Sequence, residues 1–161
     1  MSRASAQPKH RNLPLLLLQA RERVIAHFRP ILQANRITEQ QWRIVRVLLD
    51  TAELEPRQIS ELCRISSPSL AGVLARMEEL GLITRARLER DQRRVHVALT
   101  ARGRALAARI AGEIDATYGR IEELIGREFC VRFYRQLDQL IAALPPSTVP
   151  SRGAVKAGTR R

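Results

Sequence analysis

The chain has only two cysteines, Cys63 and Cys130, far apart and outside any metal-ligand or CxxC spacing. That excludes a disulfide framework and a structural zinc site, and points to a reducing, cytoplasmic home. No apolar run is long enough to span a bilayer. The Leu15–Leu18 run follows Lys9 and Arg11 in the manner of a signal peptide. It is too short for one, Pro14 interrupts its start, and Gln19 and Arg21 end it. Paired carboxylates, a nucleophile with its base, and a phosphate-cradling glycine loop are also missing, so an enzyme is not expected and no cofactor or metal is called for. Trp42 is the only tryptophan. Its plainest reading is core packing.

What the chain does have is positive charge, segregated by position. Its 161 residues carry 28 basic against 16 acidic side chains, a formal +12. The two ends, residues 1–11 and 145–161, are basic and acid-free, and are predicted to be disordered tails. Segment 57–104 holds ten arginines and five acids, while the rest of the interior is balanced. A basic face confined to one segment is the electrostatic footprint of a polyanionic partner.

That segment has the order of a winged helix-turn-helix. Pro56 to Cys63 reads as a short amphipathic helix with Ile59 and Leu62 inward, and Arg64-Ile65-Ser66 as a turn. A second helix follows from Ser67 to Leu80 and is stopped by Gly81. Ser66 or Ser67 can cap it, and Pro68 suits its first turn. Leu70, Val73, Leu74, Met77 and Leu80 form its inner stripe. Ser69, Gly72 and Arg76 are left outward, and Gly72 could admit a close neighbour. Leu82–Leu88 and Arg93–Leu99 read as two strands of a hairpin, with Val95, Val97 and Leu99 alternating against Arg94, His96 and Ala98. His96 is read as exposed. A helix entering the major groove presents its first turns, so Ser66, Ser67, Ser69 and Arg76 are the candidate contacts there. At the wing the candidates are Arg87, Arg90, Arg93 and Arg94, since arginine suits a narrow minor groove. Asp91 can brace Arg93 at the tip.

Long helices flank this lobe, residues 38–100. Asn12 caps a helix predicted over 13–34, with Leu13, Leu16, Leu17, Ala20, Val24, Phe28 and Ile31 as its stripe and Pro30 set to kink or end it. Thr38 caps a helix over 39–50, with Trp42, Val45, Leu48 and Leu49 inward. Thr100 opens a helix reaching about Ile125, in which Gly112, Gly119 and Gly126 recur every seventh residue. A last helix over 127–144 ends at Pro145-Pro146. Segments 12–36 and 101–144 are more apolar than a small winged domain needs, which predicts a helical homodimer interface. The fold class expected is mainly α: a three-helix core, a two-stranded wing and dimerisation helices, in one domain over 12–144.

The run Gly81-Leu82-Ile83, Asp91-Gln92-Arg93 and Leu99-Thr100-Ala101-Arg102-Gly103 resembles the wing signature of the MarR family, and Ser66–Gly81 resembles that family's recognition helix. The segments Asn12–Pro30, Thr38–Arg46, Leu54–Cys63 and Arg90–Thr100 are similar to members that repress homoprotocatechuate or 4-hydroxyphenylacetate catabolic operons. The resemblance implies a dimeric repressor on double-stranded, pseudo-palindromic DNA, released by a small aromatic acid. It also implies an effector pocket between the dimer helices and the winged lobe, where His27, Trp42, Arg43 and Arg46 are the candidates. Ala71-Gly72 departs from the Thr-Arg pair that relatives often carry, which puts the carried-over operator sequence in question. Two alternatives compete: a thiol-based redox sensor using Cys63 or Cys130, and a sequence-blind nucleoid-associated protein.

Overall fold

The computed structural model describes residues 10–88 and 91–144, without the side chains of residues 87, 88 and 91–93. The predicted tails therefore lie outside the described residues, apart from His10 and Arg11. In chain order the elements are α1 (Leu13–Ala26), α2 (Arg29–Ala34), α3 (Glu39–Thr51), β1 (Glu53–Leu54), α4 (Pro56–Cys63), α5 (Ser67–Glu79), β2 (Ile83–Leu88), β3 (Asp91–Leu99), α6 (Ala101–Ile125) and α7 (Arg127–Ala143). The chain divides into two compact units, Met1–Tyr118 and Gly119–Arg161.

The first unit holds the winged lobe. Its core joins Leu32 of α2, Ile44 and Leu48 of α3, Ile59 of α4, Met77 of α5, Ile83 and Val97 of the sheet, and Ile110 of α6, each almost wholly buried. Burial of such a side chain stabilises by roughly 1.5–3 kcal/mol. The hairpin is antiparallel, with Arg85 opposite Val97 and a shift in register between Arg87 and Leu88. A third strand, β1, pairs with β3 and makes the order β1-β3-β2. Two residues are too few to show a period of two, so the sequence pattern predicts only the two-stranded wing.

Several helix faces are turned from the predicted phase. In α3 the buried positions are Gln41, Ile44, Val45 and Leu48, whereas Trp42 is half-buried and Leu49 exposed. Gln41 is inside because it completes a reciprocal cap: Thr38 Oγ1 accepts from Gln41 N at 3.2 Å, and Gln41 Oε1 accepts from Thr38 N at 2.9 Å. In α4, Leu62 is 57% exposed and Cys63 takes the inward place beside Ile59. The predicted first helix is two helices broken at His27-Phe28. Pro30 lies in the first turn of α2, where its missing N–H costs no hydrogen bond. Asn12 caps α1 through Leu15 N at 3.1 Å, as expected.

The seam between α5, the hairpin and α6 is locked by Thr100. Its hydroxyl donates to Gly81 O at 2.6 Å and accepts from Gly103 N at 3.0 Å, while Thr100 N donates to Leu82 O at 3.0 Å. Gly81 has φ of +66°, which favours glycine. A Cβ on Gly103 would stand 2.2 Å from Leu82 O, so α6 meets the strand entrance at a distance only glycine allows.

Candidate nucleic-acid interface

Helix α4, the turn and α5 form the helix-turn-helix. Arg64 adopts a left-handed conformation with φ of 51° and ends α4. Ser60 Oγ donates to Ile65 O at 2.7 Å, Ile65 N donates to Ser60 O at 3.2 Å, and Ile65 is buried. Arg43 Nη1 reaches from α3 to donate to Cys63 O at 2.6 Å. These bonds hold the turn between the two helices by satisfying the Cys63 carbonyl and both backbone groups of Ile65.

Helix α5 buries Leu70, Leu74 and Met77. The side chains opposite that stripe are exposed, including Ser66, Ser67, Ser69 and Arg76. Ser66 stands at the N-cap position, but its hydroxyl donates to Ser69 Oγ at 3.0 Å and caps no backbone N–H. This corrects the expected cap: no side chain caps the first turn of α5, and three exposed hydroxyls, of Ser66, Ser67 and Ser69, stand at its head. Such a helix start suits a phosphate or an acceptor on a base edge. Arg76 pairs with Glu79 one turn later at 3.0 Å. A Cβ on Gly72 would meet nothing within 4 Å, so nothing among the described residues requires a glycine there.

The wing is only partly described. Arg90 lies outside the described residues, and so do the side chains of Arg87, Asp91 and Arg93; the backbone of these three is in β2 and β3. Of the predicted wing cations, Arg94 is in view and forms an ion pair with Glu55. Arg85, a hairpin arginine not singled out as a contact, binds Glu78 on α5. This bond holds the Glu78 carboxyl below its ordinary pKa and raises that of the Arg85 guanidinium. His96 is not the exposed residue expected. Both ring nitrogens are buried without a hydrogen bond among the described residues, and Nδ1 is 3.5 Å from Glu53 Oε1, within ion-pair reach if protonated.

The effector candidates are scattered in exposure. His27 ends α1 and is exposed, Arg46 is exposed, and Trp42 and Arg43 are half-buried. Arg43 is already engaged with the Cys63 carbonyl, and its Nε is buried without a partner among the described residues. A network that sequence reading missed joins the helices around them. Arg29 bonds Glu22 at 2.6 Å and Glu39 at 2.7 Å, and Arg21 adds bonds to Glu22 and to Glu39. Its signal in the sequence is weak, because the pairs are up to 18 residues apart.

Cys63 is buried, and burial pushes its thiol up despite the nearby Arg43. A raised thiol is a poor sensor. Less than a tenth of Cys63 is expected to be alkylated by iodoacetamide at pH 7.5 in the time that free cysteine reacts fully, by mass spectrometry. Rapid, complete labelling would restore the redox reading.

The MarR family pattern matches residues 37–94. The chain is 43% identical over 122 residues to the HTH-type transcriptional regulator FarR of Neisseria gonorrhoeae, covering 76% of this chain and 84% of that one. It is 38% identical over 133 residues to the homoprotocatechuate degradative operon repressor of Escherichia coli, covering 83% and 90%. The solved structure of NadR in complex with 4-hydroxyphenylacetate superposes with a TM-score of 0.74 at 42% identity, covering 83% and 95%.

Proposed function

Because the chain belongs to the MarR family of transcriptional regulators, we propose that this repressor works in the cytoplasm as a homodimer on a pseudo-palindromic operator, and that a small aromatic acid releases it. The coarse role, DNA-binding repression rather than catalysis, comes with the family and its repressor relatives. The observation that carries the finer reading is the state of α1. None of its residues is buried, yet Leu13, Leu15, Leu16, Leu17, Leu18 and Val24 are all on it and all exposed. An apolar surface of that kind calls for a cover, and a second copy is the cover a symmetric operator needs. In the second unit α7 likewise buries only Cys130 and exposes Phe129, Val131, Tyr134 and Ile141.

In a twofold dimer the two α5 helices would enter successive major grooves about one DNA turn apart. Ser66, Ser67, Ser69 and Arg76 supply the contacts there, and Arg87, Arg90 and Arg93, with Asp91 bracing the last, supply those of the wing in the minor groove.

Two relatives support the effector class: one represses homoprotocatechuate degradation and another is solved with 4-hydroxyphenylacetate. An aromatic acid needs an apolar slot and a cation. Trp42 and His27 offer ring surface, and Arg46 and Arg43 offer the charge. As the only tryptophan, Trp42 reports on its own surroundings. Emission excited near 295 nm is expected to change saturably as 4-hydroxyphenylacetate is added. Arg46→Gln should weaken that acid about tenfold, the loss of one charged hydrogen bond. A flat titration with both 4-hydroxyphenylacetate and homoprotocatechuate, in a protein that still binds DNA, would remove the aromatic-acid assignment.

A further inference from the structure

The wing carries two arginines whose charge is already taken up. Arg85, on β2, gives both Nε and Nη2 to Glu78 Oε2 on α5, the Nε bond being 2.8 Å. Arg94, on β3, pairs with Glu55, the residue before α4 and 39 positions away in sequence. The two pairs hold opposite faces of the hairpin. Arg85 lies across from Val97, on the side that faces the core. Arg94 is out of phase with Val95 and Val97 on its own strand, and so belongs to the outer side. One bridge therefore ties β2 to the recognition helix, and the other ties β3 to the start of α4. Arg85 also lies before the register shift between Arg87 and Leu88, where the regular hairpin ends.

Partly exposed pairs like these add little to global stability. What they can set is direction. We propose that Glu78 and Glu55 are positioning residues for the wing: through Arg85 and Arg94 they fix the hairpin against the helix-turn-helix. These two arginines then stay paired when the protein is on DNA and do not serve as phosphate ligands. The proposal rests on the operator-binding reading above. Its physical basis is the cost of the alternative. If Arg85 left Glu78 for a phosphate, a bare carboxylate on the recognition helix would face the same polyanion, and like charges at an interface are strongly unfavourable. An arginine tied across elements in this way displaces no counterion from DNA; Arg76 differs, because its bond to Glu79 is a pair within one helix between side chains 65% and 64% exposed, which a phosphate can replace at little cost.

The test has two arms on the full chain. In the first, hydrogen exchange of the β2 and β3 amides is followed in the free protein, with the α6 amides as internal reference. Glu78→Gln and Glu55→Gln should speed wing exchange severalfold while α6 stays unchanged. The charge swap of Glu78→Arg with Arg85→Glu should restore slow exchange. Unchanged wing exchange in both single variants would overturn the proposal whatever the DNA results. In the second, binding to a duplex from the region upstream of the gene and to a shuffled duplex is measured across salt concentrations. Arg85→Gln and Arg94→Gln should lower the preference for the native duplex roughly tenfold, within the range of couplings between contacting groups. The salt slope should remain that of the parent. A slope reduced by ~0.9, the loss of one phosphate contact, would show a phosphate ligand and overturn the proposal. A parent protein that binds both duplexes equally would instead count against the operator reading, and the exchange arm would still decide whether the bridges position the wing.

Discussion

Gly103→Ala should lower the melting temperature by about 10 °C, and Gly72→Ala should raise it. Both glycines sit in helices, so helix propensity alone would favour alanine at each by up to about 1 kcal/mol. Their surroundings differ. At Gly72 the added methyl meets nothing, and the propensity gain stands alone. At Gly103 it would lie 2.2 Å from Leu82 O and 3.0 Å from a Leu99 methyl. Backbone at that distance must move, and moving it breaks the bonds through which Thr100 joins Gly81, Leu82 and Gly103. Overpacking of this kind costs about 3 kcal/mol, which for a chain of this length is of the order of 10 °C. Thermal unfolding followed by circular dichroism checks both variants. A Gly103→Ala protein melting with the parent would mean that the Thr100 seam yields easily and does not fix α6 against the wing.

The second large effect is expected from the bare helices. Leu17→Glu on α1 combined with Ile141→Glu on α7 should produce a monomer that stays folded. Ile141 is 68% exposed and Leu17 is also exposed, so neither charge is forced into the protomer core. Sedimentation should show half the parent's mass, with a circular dichroism spectrum like the parent's. Operator affinity should fall by ~10²-fold or more, the avidity lost when two linked half-site contacts become independent. A variant that sediments like the parent would mean that these faces are covered by something other than a second copy. A clean monomer with full operator affinity would contradict the twofold arrangement on DNA.

These expectations also show how much the sequence disclosed. The order helix, turn, helix, hairpin was legible because each boundary carries its own local chemistry: Asn12 and Thr38 as caps, Pro56 and Pro68 in first turns, Gly81 and Gly126 at helix ends. The phase of α3 was harder to read, because the inward position of Gln41 comes from a capping bond and not from hydrophobicity. Leu62 and Leu49 misled for the complementary reason: an apolar side chain on a short helix need not face the core. Helical spacing puts Ser69 outward and makes Ser66 or Ser67 a cap, but the Ser66–Ser69 hydrogen bond that replaces the cap depends on rotamers that no spacing rule specifies. Least legible were the ion pairs. That Arg94 would meet Glu55 and Arg85 would meet Glu78 depends on how β3 and β2 come to rest beside α4 and α5, so arginines counted as one basic face differ in the charge they can offer. A Cβ added at Gly112 or Gly119 would meet nothing within 4 Å among the described residues, and Gly126, with φ of +89°, serves as a helix boundary.

The measurement that bears most directly on an effector-released operator binder is fluorescence anisotropy at ~150 mM salt, near physiological ionic strength. A duplex from the region upstream of the gene is compared with a shuffled duplex, with and without 4-hydroxyphenylacetate and homoprotocatechuate. A preference of ~10³-fold or more for the native duplex, in the range of specific DNA binders, and its loss with either acid, is the expected result. Equal binding to both duplexes, with a steep salt dependence and no effect of either acid, would contradict it and favour a sequence-blind nucleic-acid-binding protein.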